Sequence, residues 1–236
     1  MNNLLQSFAA LPETLVWGIF LAENLLLTGL VLLVGRFIQR CYDPATVTPY
    51  VDNRREWFIC IITNILNTII TYLGYWLWKK GFIITGTTIT WRIIIDFFLL
   101  FLAMDLLMYL FHFLIHKTAL YKLIHQLHHE AVHPKPIDLF ILHPIETLSF
   151  GALWLVLLVC YAFNIWAIII YLTVNLVFGL AGHLGIEPLP VAIRRLPVFN
   201  VLGTSTFHHN HHEDVAYNFG FYTNLWDRLF GTWKRP

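Results

Sequence analysis

The chain has 236 residues, 58% of them apolar and only 12% charged, with a formal net charge of +1 and a mean hydropathy of +0.64. A soluble domain carries about 25% charged residues, so a shortfall of this size means that much of the surface faces hydrocarbon. The length suits one domain, and the near-neutral balance excludes a nucleic-acid partner, which needs a concentrated basic face.

Residues 1–14 contain no Lys or Arg, and the apolar run beyond them is too long for the h-region of a secretory signal. That run is expected to stay in place as a membrane span. About 20 apolar residues cross the hydrocarbon core, which predicts spans at roughly Leu15–Ile38, Trp57–Trp78 and Ile93–Ile115. Trp57, Trp76, Trp78 and Trp91 fall at the interfaces so defined. A polar insertion, 116–147, follows. Leu148–Gly182 is too long for one crossing and a little short for two. With Asn164 near its middle, it reads as a helical hairpin of two short arms. The polar tail, 183–236, is punctuated by Pro188, Pro190 and Pro197. Cys41, Cys60 and Cys160 are odd in number and lack metal-type spacing, so they read as small apolar filler.

If the first three spans each cross once and the hairpin returns to its own side, the basic residues separate. Arg36, Arg40, Arg54, Arg55, Lys117, Lys122, Lys135, Arg194, Arg195, Arg228, Lys234 and Arg235 share one side, and Lys79, Lys80 and Arg92 the other. The richer side is expected to be cytoplasmic, and all twelve histidines fall on it. The expected fold is therefore all-α. It is a single membrane domain over 1–236, a helical bundle of three spans plus a hairpin, with a cytoplasmic His-rich metal-binding cap.

Five stretches carry the histidines: His112-Phe-Leu-Ile-His116, His125-Gln-Leu-His128-His129, His143-Pro144, His183 after Gly182, and His208-His-Asn-His211-His212. Residues four apart share a helix face, so His112 and His116 point the same way. On a regular helix the HxxHH histidines fall at about −60°, 0° and +40°, a narrow stripe able to serve two adjacent metal ions. Imidazole suits iron, zinc, copper and nickel, and two sites of four or five nitrogens would use nine or ten histidines. The candidate ligands are His112, His116, His125, His128, His129, His143, His183, His208, His211 and His212; His133 and His209 read as wetted polar side chains. Asp105 and Tyr109 continue the His112–His116 stripe of the third span. From there a carboxylate or phenol can hold a ligand imidazole by its second nitrogen; the alternative for Asp105 is a buried carboxylate bonded to a neighbouring helix. Asp96, one turn into the far end of the same span, is expected to face water or headgroups. Glu130, Glu187, Glu213 and Asp214 flank the histidines, the last two as solvated charges.

At these residues the chain resembles the fatty acid hydroxylase/sterol desaturase superfamily of membrane di-iron enzymes. The likeness runs from about Asp105 to Pro236. It includes the ordered histidine boxes, His143-Pro144-Ile145-Glu146, and the closing stretch Asn218-Phe-Gly220…Leu225-Trp-Asp-Arg-Leu-Phe-Gly-Thr-Trp233. Phe113 stands where the family commonly has Arg, and the His-Pro element with the lone His183 looks more like the sterol desaturase branch. The resemblance implies a histidine-box catalytic region at about 97–236 and two iron ions, replaceable by zinc in purified protein. It further implies an O2-dependent hydroxylase or desaturase acting on a lipid in the bilayer. No haem-binding segment is fused here. Electrons are therefore expected from a separate cytochrome-b5-, ferredoxin- or reductase-like donor. Two other classes stay open: a His-rich metal transporter, which would put its ligands near mid-bilayer, and a zinc-stabilised scaffold, which needs no substrate cavity.

Overall fold

A computed structural model describes residues 2–42 and 53–234; Arg235, one of the basic residues counted above, lies outside them. Among the described residues the regular structure is helical, with two isolated bridges and no longer strand. Nine α-helices follow in chain order: α1 (Asn2–Ala9), α2 (Glu13–Tyr42), α3 (Arg54–Lys79), α4 (Arg92–Lys117), α5 (Pro144–Cys160), α6 (Ile165–Gly182), α7 (Val191–Arg194), α8 (Ser205–Glu213) and α9 (Leu225–Phe230). Helices α2, α3, α4 and α6 are each long and apolar enough to cross a membrane. At 1.5 Å per residue the hairpin arms α5 and α6 are only about 26 Å long. Leu26, Leu30, Leu33 and Phe37 of α2 remain exposed, as expected of residues whose solvent is lipid.

The interior joins these helices by apolar packing and by a few hydrogen bonds. Leu100, Phe101, Met104 and Met108 of α4 pack with Leu155 and Leu158 of α5 and Tyr171 of α6. Between α2 and α3, Thr28 Oγ1 donates to Asn64 Oδ1 at 2.8 Å, a buried polar contact of the kind that joins helices in hydrocarbon. Gly151 lets α5 approach α3 closely, since a Cβ there would collide with Ile70.

The two ends of the bundle differ. At the far end, the hairpin turn docks on the 83–88 loop, where Ile165 N–H donates to Gly86 O at 2.8 Å and Gly86 N–H to Phe163 O at 3.1 Å. Asp96 does not face water: it is fully buried and accepts the Asn164 N–H at 2.8 Å and the Tyr161 hydroxyl at 3.2 Å. The turn leaves the Asn164 N–H away from solvent, and an acceptor on α4 satisfies it. At the near end, ion pairs Arg55–Glu130 (2.8 Å) and Lys135–Glu56 (2.9 Å) tie the start of α3 to the histidine-bearing cap. Gln39 Nε2 donates to Leu184 O at 2.7 Å.

The tail does not stay outside the helices. Its 218–224 stretch folds down beside α4. There Tyr222 is fully buried, stacks on Phe101 at 4.9 Å and bonds the Tyr171 hydroxyl at 2.8 Å. Asp105 receives this segment, accepting N–H groups from Tyr222 (2.9 Å) and Thr223 (3.2 Å) and the Trp226 indole N–H (3.0 Å).

Candidate metal centre

Nine histidines converge in two abutting buried groups. The first is His112, His116, His125, His129 and His211; the second is His128, His183, His208 and His212. Each HxxHH box is divided. Its members four apart serve one group and the remaining histidine serves the other, so α8 and the 125–129 segment each hold both groups together. The 125–129 segment is not the regular helix its spacing predicts. It passes from a π-turn, Tyr121–His125, into a 3₁₀ turn, His128–Glu130. Within it His128 faces His183, their Nε2 atoms 3.4 Å apart, while His125 and His129 face the other group. The N-terminus of α8 is fixed by Thr204, whose Oγ1 accepts the Phe207 N–H at 3.3 Å. Glu187 adds to this by accepting Thr206 N–H at 3.1 Å and its hydroxyl at 2.8 Å.

Hydrogen bonds fix the tautomers. His112 Nδ1 donates to Phe219 O (2.9 Å), His211 Nδ1 to Tyr217 O (2.6 Å), His183 Nδ1 to Gly179 O (2.8 Å) and His212 Nδ1 to Ala131 O (2.9 Å). His125 Nδ1 donates to the buried carboxylate of Glu146 at 2.7 Å. In each of these rings Nε2 then carries a lone pair. Burial, reinforced by the neighbouring imidazoles, pushes the pKa values of His125, His128, His129, His208 and His211 well down, and burial takes His183 to about 4 and His212 to about 3. All are therefore neutral near pH 7, the form that ligates metal.

The donor set fits a cation. His112 Nε2 lies 3.0 Å from His125 Nε2 and 3.1 Å from His211 Nε2. With all three Nδ1 atoms protonated, these three Nε2 atoms are lone pairs facing lone pairs. A cation held among these nitrogens would turn that repulsion into coordination. In the second group His128 and His183 approach to 3.4 Å and His208 and His212 to 3.1 Å.

Nine of the ten candidate ligands are thus brought together. His143 is not: it begins α5, where its Nδ1 accepts the Ile145 N–H at 3.3 Å. The proline that follows fixes the chain for a helix start and makes His143 a cap. Asp105 and Tyr109 do not contact a ligand imidazole either. Asp105 pins the 222–226 segment, and the Tyr109 hydroxyl bonds Thr232 Oγ1 at 3.0 Å. Their stripe is continuous with His112, yet its Asp105 end meets the inserted tail. The partners that do hold the imidazoles are Glu146 and four backbone carbonyls. Only Glu146 had a sequence signal, its place in the His-Pro-Ile-Glu run. His133 and His209 stack at 5.1 Å on the surface, with Glu213 Oε1 3.3 Å from His209 Nε2. A cavity of about 210 Å³ adjoins both groups, lined by His112 and His125 of the first and by His128, His183 and His208 of the second.

The family model for fatty acid hydroxylases matches residues 97–232, which hold all nine histidines and Glu146. The chain belongs to the fatty acid hydroxylase family. Methylsterol monooxygenase 1 of Rattus norvegicus is 32% identical over 128 residues, covering 52% of this chain and 41% of that protein. Delta(7)-sterol 5(6)-desaturase of Leptosphaeria maculans is 29% identical over 154 residues, 60% of this chain and 37% of that one. Cholesterol 25-hydroxylase-like protein of Danio rerio is 26% identical over 159 residues, 67% and 63% respectively. The matched part is less than two thirds of each relative's own length. No solved structure matches.

Proposed function

We propose that this chain is a membrane-bound di-iron oxidoreductase that uses O2 and a separate electron donor to hydroxylate or desaturate a lipid. The observation that carries the reading is a buried pair of histidine groups, five and four strong, bordering a cavity that reaches between the membrane helices. The family and the relatives' names, which are sterol oxygenases and a desaturase, support a lipid substrate. Two irons held by the nine histidines would supply oxygen reduction and oxidation of an unactivated C–H bond. The chain's own part is to hold neutral imidazoles in place, seat the lipid against them and keep bulk water out. A transporter would need ligands along a path at mid-bilayer. Here the ligands gather where α4 ends and where the cap covers it. The bias of Lys and Arg supports a cytoplasmic cap, where a soluble donor protein can reach it.

The test is lipid analysis of membranes containing the iron-loaded chain, with a chemical reductant, in air and without oxygen. A lipid gaining one oxygen or losing two hydrogens is expected only in air and only with His211 intact. Unchanged lipids alongside metal movement into vesicles without oxygen would replace the oxygenase with a transporter.

A further inference from the structure

The cavity beside the histidines is not uniformly apolar, and its polar wall comes from α3, which precedes the segment 97–232 that defines the family. Thr63 and Asn67 line it one helical turn apart, on one face of α3. They stand roughly 14 and 20 Å along the helix from its cap-side end, at a depth where hydrocarbon offers a polar group no water. Thr63 is 1% exposed, and its hydroxyl has no hydrogen-bond partner among the described residues. Other threonines of the spans behave differently. Thr68, Thr71 and Thr173 return their hydroxyls to the carbonyl four residues earlier, at 2.8–2.9 Å, the usual retreat of a helical threonine. On the opposite wall Asn175 spends its amide oxygen on the Tyr222 hydroxyl at 2.6 Å, which leaves its amide hydrogens for the cavity. A buried hydroxyl left without a partner in a native structure calls for something that completes it.

We propose that Thr63 and Asn67 bind an oxygen-bearing group of the lipid substrate, a hydroxyl above all, and so select which lipid reaches the metal centre. The inference rests on the lipid-modifying reading above and names the residues that choose the lipid. Threonine and asparagine each donate and accept, so together they can satisfy a hydroxyl in both senses, whereas a plain hydrocarbon leaves both groups unsatisfied. The histidines stand on the cap side of this pair, so the carbon presented to them is displaced towards the cap from the anchored oxygen.

The experiment compares iron-loaded protein in nanodiscs for equilibrium binding of matched probes, cholesterol against cholestane and hexadecanol against hexadecane. Wild type, Thr63→Val, Thr63→Ser and Asn67→Leu are used, each checked for metal content. At least one alcohol is expected to bind about tenfold more tightly than its hydrocarbon, the size of one buried hydrogen bond. Thr63→Val and Asn67→Leu are each expected to remove most of that preference, and Thr63→Ser to keep it. No preference in wild type, including no binding of any probe, overturns the proposal. So does a preference that survives both Thr63→Val and Asn67→Leu with metal retained. Binding requires no turnover, so this result stands apart from the oxygen-dependent lipid test: either can fail while the other holds.

Discussion

The two histidine groups are built from the same boxes, yet they are constrained differently. In the five-histidine group three imidazoles are locked through Nδ1, by the carbonyls of Phe219 and Tyr217 and by the Glu146 carboxylate. Their Nε2 lone pairs then oppose one another at close range, and a cation among them would resolve the conflict. In the four-histidine group His183 and His212 are locked by carbonyls, but His128 Nδ1 has no partner. His128 here, like His129 in the first group, can therefore carry its proton on Nε2 towards a neighbouring ring. The first group thus has three of its five rings held through Nδ1, and the second two of its four. Among the described residues only the first has a carboxyl group behind one of its imidazoles, which orients that ring.

The sharpest way to break this comparison is to remove one ligand from each group. His211→Ala and His212→Ala are both expected to abolish lipid modification, since each leaves a group short. His212→Ala should retain about one metal ion per chain, held by the intact five-histidine group. Metal analysis after gel filtration checks this, and equal loss of both ions in His212→Ala would show that the groups are not independent.

A smaller effect is expected from Glu146→Gln, which keeps the shape and removes the charge behind His125. Loss of such a partner lowers metal affinity or activity by about 10–100-fold. Chelator titration should show that the loss falls on the five-histidine group and reverses the order in which the two ions leave. Asp105→Asn provides the contrast. Asn offers donors where Tyr222, Thr223 and Trp226 already donate, and each mispaired buried group costs about 1–3 kcal/mol. Its thermal midpoint should fall while the metal-to-chain ratio of the folded protein is unchanged. A lost ion with an unchanged midpoint would restore Asp105 as a support for the ligands.

The smallest and most graded effect is that of pH. Unfolded imidazoles titrate near 6.5, whereas folded His183 and His212 do so at about 4 and about 3. Below pH 6.5 the unfolded chain therefore binds more protons than the folded one, and stability falls as the solution is acidified. The metal-free protein should lose thermal midpoint steadily from pH 7 to 4. The loaded protein should follow with the same sign as protons compete for Nε2. A midpoint rising as pH falls over this interval would mean that the folded histidines bind protons more tightly than the unfolded ones.

Much of this molecule was legible in the sequence because the signals were local. Runs of apolar residues gave the spans, since hydrocarbon admits only backbone that bonds to itself. The i, i+4 spacing placed His112 with His116, and they do share a group; each HxxHH box read as one stripe for two ions, without saying which histidine goes to which group. Other features depended on contacts between distant segments, and only the tertiary structure decided them. The division of each box between two groups follows from how the 121–130 segment and α8 are brought together around the same space. His143 became a helix cap because α5 starts at Pro144, and Asp105 an anchor for the tail because the 218–224 stretch folds down beside α4. Asp96 was drawn inward by the hairpin turn. The carbonyls of Phe219, Tyr217, Ala131 and Gly179 carry no residue-type signal, since every residue has a carbonyl and only its position makes it an orienting group. Composition and spacing determined what the chain could coordinate; the packing of the tail against α4 and α6 decided which nitrogen faces which.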